Sequence, residues 1–148
     1  MGITTALCNT FKKELLQGTH KFGTDTFRLA LIKSGESGTY GATTANYSEV
    51  TTASDEIGTT GNYGTGGATL ANVAVTGSNS ATTAFVDFDD VAFTGATIDA
   101  NGAIIYNSSE SNKAVAIISF TTTQSSDNGT FTIEMPAGST SAAIIRVA

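Results

Sequence analysis

The stretch AIIYNSSESNKAVAIISF, Ala103 to Phe120, decides the fold. Two apolar runs, Ala103 to Asn107 and Lys113 to Phe120, flank Ser108-Ser-Glu-Ser-Asn112, a cluster of turn-forming residues too short to hold a helix. Runs of that length rich in Ile and Val, bounded by Ser and Asn, predict a β-hairpin. On the N-terminal side, Asp99-Ala-Asn101-Gly102 reads as a second turn, because Asn-Gly readily adopts positive φ.

Further strands follow the same logic. Thr26 to Lys33 alternates Phe27, Leu29 and Leu31 against Arg28, Ala30 and Ile32, as a strand with a dominant core face does. Ala68 to Val75 alternates Leu70, Asn72 and Ala74 with Ala71, Val73 and Val75. Ala84 to Phe93 contributes Phe85, Val86, Phe88, Val91 and Phe93 to the expected core. Gly129 to Met135 and Ala142 to Val147, separated by Pro136-Ala-Gly138, complete the set.

One helix is expected, over residues 5–17. There Ile3, Leu7, Cys8, Phe11 and Leu15 form one stripe, Asn9, Lys12, Lys13 and Gln17 lie outside it, and Gly18 is a C-terminal stop. The expected fold is therefore all-β: an antiparallel β-sandwich of about seven or eight strands preceded by one N-terminal α-helix. A chain of 148 residues makes one domain, 1–148, burying ~70% of the surface its unfolded form exposes.

Residues 34–67 are different in kind. SGESGTYGATTANYSEVTTASDEIGTTGNYGTGG has little sustained hydrophobicity, and it predicts a long surface excursion with a short strand around Ser48 to Thr51. Its tyrosines Tyr40, Tyr47 and Tyr63 supply anchors that a free linker does not need, which makes the excursion a candidate contact arm.

Composition excludes several classes. The chain is 40% hydrophobic and 14% charged, with 16 Gly, one Pro and no Trp, unlike a disordered chain or a helical bundle. A net charge of −6 argues against nucleic-acid binding. The charge is polarised: residues 1–33 carry five basic against two acidic side chains, +3, and the remainder two against eleven, −9. Lys12, Lys13 and Lys21 at the basic end are candidate electrostatic guides to an acidic partner, the plainer reading being solvated lysines around one helix. The N-terminus lacks the charged and apolar regions of a signal peptide, and no run approaches the ~20 apolar residues of a membrane span. A chain made and kept soluble is expected. Met1-Gly2 fails as a myristoylation signal because Ala6 stands where Ser or Thr is needed.

The search for chemistry is short. Cys8 is the only cysteine and His20 the only histidine, so an intrachain disulfide and a His- or Cys-based metal cluster are excluded and no cofactor is expected. A Cys8–His20 dyad competes with the reading of Cys8 as a small buried hydrophobe, which the helix stripe favours. No Gly-x-Ser-x-Gly elbow presents a nucleophile to His20 and no Lys-Ser or Lys-Thr ends the Gly58 to Gly67 stretch as a P-loop does, so an enzyme is not expected. Asp87 and Asp89 are expected on one face of a strand, where they form a candidate Ca²⁺ pair. The competing reading is a strand edge kept soluble by charge, and the absence of Trp argues against a sugar groove. The glycosylation-like triplets at Asn46, Asn107 and Asn128 are expected by chance in so Asn- and Thr-rich a chain.

The order of features resembles a family of small tailed-bacteriophage virion proteins, described as capsid decoration (cement) or tail-fibre-like proteins. The elements that carry the likeness begin with Phe11-Lys-Lys-Glu-Leu15-Leu16-Gln-Gly18, Thr26-Phe27-Arg-Leu29-Ala30-Leu31 and Glu56-Ile57-Gly58 with Gly61-Asn-Tyr63. They continue with Gly66-Gly67-Ala68-Thr-Leu70-Ala-Asn72-Val73, Val86-Asp-Phe88-Asp-Asp-Val91-Ala-Phe93 and Gly102-Ala-Ile-Ile-Tyr106-Asn107. Ala114-Val-Ala116, Phe131-Thr-Ile133 and Ala143-Ile-Ile-Arg146 close the set. The segment Glu56 to Tyr63 is longer than the family's Glu-Val-x-Gly-x-Gly-Tyr arrangement. The resemblance implies a β-sandwich, a place in the virion after assembly in the host cytoplasm, and no reaction.

The expected role is a capsid decoration protein that binds the major capsid protein and copies of itself, with no nucleic-acid or membrane partner. Tyr40, Tyr47 and Tyr63 are the expected aromatic contacts, guided by Lys12, Lys13 and Lys21. A tail or tail-fibre protein is the alternative, and a Ca²⁺- or carbohydrate-binding module the third reading.

Overall fold

The computed structural model of the chain describes residues 2–148. In chain order the elements are β1 (Gly2–Ile3), β2 (Ala6–Leu7), α1 (Asn9–Leu16), β3 (Phe27–Lys33), β4 (Thr39–Tyr40), α2 (Ser48–Thr52), β5 (Ala68–Thr69), β6 (Ala74–Thr76), β7 (Ala84–Asp87), β8 (Val91–Asn107), β9 (Lys113–Ile133) and β10 (Ile145–Val147). The fold is mostly β, with two helices. A five-stranded antiparallel sheet has the order β2-β9-β8-β3-β5, a three-stranded antiparallel sheet the order β10-β7-β6, and β1 pairs with β4 in parallel.

The hairpin expected around Ser108–Asn112 joins β8 to β9. Asn107 accepts the Ser109 N–H at 3.0 Å to start a short 3-10 turn, and Ser111 and Asn112 close it with φ of 55° and 60°. Next to this turn, β3, β8 and β9 are buried on both faces: Leu29 to Ile32, Ala103 to Asn107 and Ala114 to Ile117 are all covered. Each Leu, Ile or Phe enclosed there contributes ~2 kcal/mol through burial of apolar surface.

The Asp99-Ala-Asn101-Gly102 segment does not reverse the chain as expected; it lies inside β8, a strand of 17 residues. The pairing jumps there from Ala100 opposite Gln124 to Gly102 opposite Ser119, so Phe120 to Thr123 bulge out of β9. A Cβ at Gly102 would stand 2.4 Å from the Ile118 carbonyl oxygen, which makes this glycine a point of close approach within a bend.

Other boundaries also move. The helix occupies Asn9–Leu16, because Ala6 and Leu7 pair with Ile117 and Ala116 of β9. Gly18, at φ 75°, ends it as expected. The expected strand at Ser48 to Thr51 is instead α2. Asn46 Oδ1 accepts the Ser48 N–H at 2.9 Å, and Glu49 Oε1 reaches back to the Ala45 and Asn46 N–H groups at 2.7 and 3.2 Å. That reciprocal capping outweighs the β preference of Val50 and the threonines. Ala68 to Val75 is split into β5 and β6 across Asn72, at φ 50°, and Ala84 to Phe93 is split into β7 and β8 across Phe88 to Asp90.

Residues 34–67 are the largest correction. They are packed onto the domain, with Tyr40, Tyr47, Val50, Ile57 and Tyr63 buried in its core. Elsewhere Phe22 stacks on Phe27 of β3, with ring centroids 4.5 Å apart and planes 8° from parallel, and meets Phe88 at 6.5 Å.

Gly67 marks the tightest approach of the 34–67 segment to the sheet: it has φ of 74°, and a Cβ there would lie 1.8 Å from the Leu29 carbonyl oxygen. Gly67→Ala is expected to cost about 3 kcal/mol or more in urea denaturation. Gly64→Ala, whose Cβ would enter open space, is expected to cost less than about 1 kcal/mol. Equal losses would refute the close-packing account.

Candidate functional site

Three places gather chemistry: two buried polar networks and one open apolar surface. In the first network, the Asp55 carboxylate is fully buried and accepts the Ser37 N–H at 3.0 Å, the Gly38 N–H at 2.8 Å and the Tyr40 hydroxyl at 2.7 Å. Lys33 Nζ stands 3.8 Å away. Its neighbour Glu56 accepts the hydroxyls of Tyr47 and Tyr63, the latter at 2.8 Å, and the Gly66 N–H at 2.6 Å. Arg28 donates to the Gly66 and Gly67 carbonyls at 3.2 and 2.7 Å, Tyr106 donates to Gly66 O at 2.7 Å, and Tyr47 stacks on Tyr106 at 4.2 Å.

Tyr40, Tyr47 and Tyr63 are therefore internal struts, and the expectation that they are exposed partner anchors is corrected. A phenol that is buried needs an acceptor, and adjacent Asp55 and Glu56 supply one on each side of the segment. Burial, then the facing carboxylates, pushes the Tyr40 and Tyr47 hydroxyls well above the ordinary tyrosine range, and burial does so for Tyr63 with Glu56 adding to it and the Leu31 N–H donated to its oxygen at 3.0 Å opposing it.

The second network surrounds His20, whose side chain is enclosed between Phe11 and Phe27. Its Nε2 meets Glu14 Oε2 at 2.7 Å and its Nδ1 meets Asn107 Nδ2 at 3.1 Å. Asn107 Nδ2 also donates to Asp25 at 2.8 Å while Asn107 Oδ1 accepts from Ser109, so this amide presents a donor to His20 and Nδ1 is an acceptor. Both ring nitrogens are occupied by residues other than Cys8. Cys8 is fully buried at the start of α1 with Sγ 3.9 Å from Gly41 O, and burial, reinforced by Glu49 and Glu14 against Lys12, pushes its thiol up to about 12. This is the small-hydrophobe arrangement rather than a thiolate nucleophile.

Asp87 and Asp89 do not share a strand face, because β7 ends at Asp87. Asp87 accepts the Phe88 N–H at 3.0 Å, and Asp89 accepts from the Asn72 amide. Asp90 accepts the Met135 N–H at 2.7 Å. Asp89 and Asp90 thus tie their loop to two other segments, and among the described residues no group of three His, Cys, Asp or Glu is placed to hold a metal ion.

The open surface lies where α1 meets β10 and β7. Leu16 is 90% exposed, Val75 60% and Val147 57%. Between them run two shallow grooves of about 120 and 350 Å³ that share Leu15, Ile145 and Val147. Lys12 and Arg146 stand on the rim of the larger one, and no Asp or Glu lines either. Lys13 is exposed on the same helix, whereas Lys21 sits 4.0 Å from Glu110 at the other network. Of the lysines expected to act together, only Lys12 borders the patch. The sequence carried a signal for it that the stripe reading passed over: Leu16 follows Leu15 yet lies off the apolar stripe of α1.

A third groove, about 480 Å³, runs beside the far half of β9, with Phe120, Phe131, Ile133, Met135 and Ile144 in its walls. The outer edge of β9 is bridged at Lys113 by Asn46 and paired at Ala116 and Ile117 with β2, and beyond Ile117 no strand among the described residues pairs with it.

Two measurements test the buried networks. The Cys8 thiol is expected to resist a thiol reagent at pH 8 in the native protein and to react at once in urea; immediate native labelling would overturn its enclosure. Burial opposes ionisation of Asp25 and Asp55, but hydrogen bonds from Asn107 and the Lys21 backbone to Asp25, and from Tyr40, Ser37 and Gly38 to Asp55, outweigh it and hold both below the ordinary range. Below about pH 4 the unfolded chain takes up protons that the folded chain still refuses. The stabilisation is thus complete at neutral pH and is lost as pH falls through the folded values. The urea midpoint is expected to drop in that window, less steeply for Tyr40→Phe, and an unchanged slope in that variant would contradict the role given to Tyr40. A comparison with known protein families, curated proteins and solved structures finds no match to this chain.

Proposed function

We propose that this chain is a non-enzymatic structural protein of a phage virion, a capsid decoration protein that docks on the major capsid protein through the apolar surface of α1 and β10. The observation that carries the reading is that surface itself: three large apolar side chains left exposed around two adjoining grooves, with Lys12 and Arg146 and no Asp or Glu side chain among the described lining residues. Contiguous exposed apolar groups with a polar rim mark sites of protein association. The two strongest constellations of titratable side chains are meanwhile spent on internal hydrogen bonds.

In this reading the domain is a β-sandwich in which the three-stranded sheet covers part of the five-stranded one through Phe22, Phe88 and Ile145. Strands β8 and β9 form a stiff spine and α1 presents the docking face. An interface of ~800 Å² per partner, repeated around a shell, reinforces it without a covalent link. The basic rim favours an acidic capsid surface, and the free edge of β9 supports contact between copies.

Leu16→Glu combined with Val147→Asp is expected to leave the far-UV spectrum and melting temperature unchanged while lowering recovery on purified shells at least tenfold. Undiminished recovery would remove the patch from the interface. The copy number in purified virions tests the location: a ratio to the major capsid protein near one or one-third is expected, and one per hundred would move the protein to the tail.

A further inference from the structure

Away from the docking patch, the bulge in β9 walls a polar cleft of about 310 Å³. Its lining combines Ile3 with Glu36, Asn101, Ser119 and the three consecutive threonines Thr121, Thr122 and Thr123, and no Lys, Arg, His or aromatic residue takes part among the described residues. Glu36 is only 7% exposed, an unusual burial for a carboxylate with no cationic side chain paired to it among the described residues. One of its oxygens, Oε2, accepts from Asn101 Nδ2 at 2.8 Å. Among the described residues, the other accepts from no donor. It is not sealed in either, since Thr10 Oγ1 is the one enclosed side-chain oxygen or nitrogen without a partner among the described residues. Oε1 therefore opens on the cleft.

The neighbouring hydroxyls tilt the cleft further towards acceptance. Thr121 spends its proton on Phe120 O at 2.5 Å and Thr123 on Asn101 Oδ1 at 2.6 Å, which leaves their lone pairs available. Thr121 holds φ of 65°, a conformation costly for a β-branched residue, and the bulge that imposes it is the same one that raises the cleft wall.

The ligand class follows from this inventory. An anion is excluded by Glu36. A single carboxylate among neutral oxygens falls short of the six to eight oxygen ligands, several of them charged, that a calcium site assembles. A sugar site usually supplies an aromatic face for the ring to stack on, and none of the described lining residues is aromatic. A planar cation with several N–H groups fits: one N–H to the half-enclosed Glu36 Oε1 and others to the exposed threonine oxygens, in a charge-assisted arrangement.

We propose that the cleft over Glu36 is a binding site for a guanidinium group. It lies on the bulge of β9 rather than on the α1 and β10 patch, so it stands or falls independently of the capsid-docking reading. The group has two sources, an arginine side chain presented by a protein segment or a free small guanidine.

The test is titration of the ¹⁵N-labelled protein with agmatine, with the blocked peptide acetyl-Gly-Arg-Gly-amide and with the same blocked peptide carrying citrulline, whose side chain is the uncharged isostere of arginine. Saturable shifts are expected at Glu36, Asn101 and Thr121 to Thr123 with agmatine and the arginine peptide, weakening as salt rises, and none with the citrulline peptide. Tighter binding of the arginine peptide assigns the site to a protein arginine, and tighter binding of agmatine to a free guanidine. Glu36→Gln keeps an acceptor for Asn101 and so the local fold, and is expected to weaken binding at least tenfold with an unchanged melting temperature. Absence of saturable shifts up to ~50 mM, equal shifts with the citrulline peptide, saturation by CaCl₂ instead, or undiminished binding by Glu36→Gln would each overturn the proposal.

Discussion

The antiparallel ladder between β8 and β9 is the constraint on which the rest of the molecule depends. Its turn half, Gly102 to Asn107 against Lys113 to Ser119, is buried on both faces from Ala103 to Asn107 and Ala114 to Ile117 and receives β3 on one side and β2 on the other. Its far half runs on past the bulge with β8 and β9 paired to each other, and the loop at Thr60 and Asn62 bonds to Thr97 and Thr94 of β8 where β3 has ended. A ladder so much longer than the usual five or six residues stays register-true only if its bends are set by particular residues. Gly102 and the Phe120 to Thr123 bulge set the main one.

Two adjacent carboxylates, Asp55 and Glu56, then do for residues 34–67 what a hydrophobic strand would do elsewhere. Between them they hold three tyrosine hydroxyls and three backbone N–H groups, and Arg28 and Tyr106 clamp the carbonyls of Gly66 and Gly67. A Gly- and Thr-rich segment with few apolar side chains is thereby ordered against the sheet, because each buried polar group has a partner. What remains unsatisfied among the described residues is the α1 and β10 patch, the outer edge of β9 beyond Ile117, one oxygen of Glu36 and the enclosed hydroxyl of Thr10.

The legible part of the fold was the part governed by local pattern. The hairpin at Ser108, the strand from Phe27, the core of Phe88, Val91 and Phe93, and the stop at Gly18 all follow from periodicity and turn chemistry over a few residues. The errors share one cause. Asn101-Gly102 has the local signature of a turn, but Ile118 and Ile3 lie against it and make it a bend; Ala6 and Leu7 continue a helical stripe, but β9 offers them a ladder; Val50 to Thr52 favour a strand, but Glu49 caps a helix. Of the candidate contact residues, Lys12 kept its exposed place at the patch, while Tyr40, Tyr47 and Tyr63 went inward. A tyrosine in a polar segment reads the same whether its ring meets solvent, a partner or a carboxylate far along the chain.

The amino-acid sequence by itself therefore determined that the domain is mostly β, that Cys8 is the only thiol and His20 the only imidazole, and that charge is polarised from one end to the other. Those are properties of composition and of neighbours within a few positions, where backbone preference and side-chain alternation act directly. Only the tertiary structure decided which polar groups were spent inside and which apolar ones were left outside. Asp55 and Tyr40, Glu14 and His20, Leu16 and Val147 come together through chain crossings whose geometry is fixed by the packing of the whole domain, and no local preference encodes them.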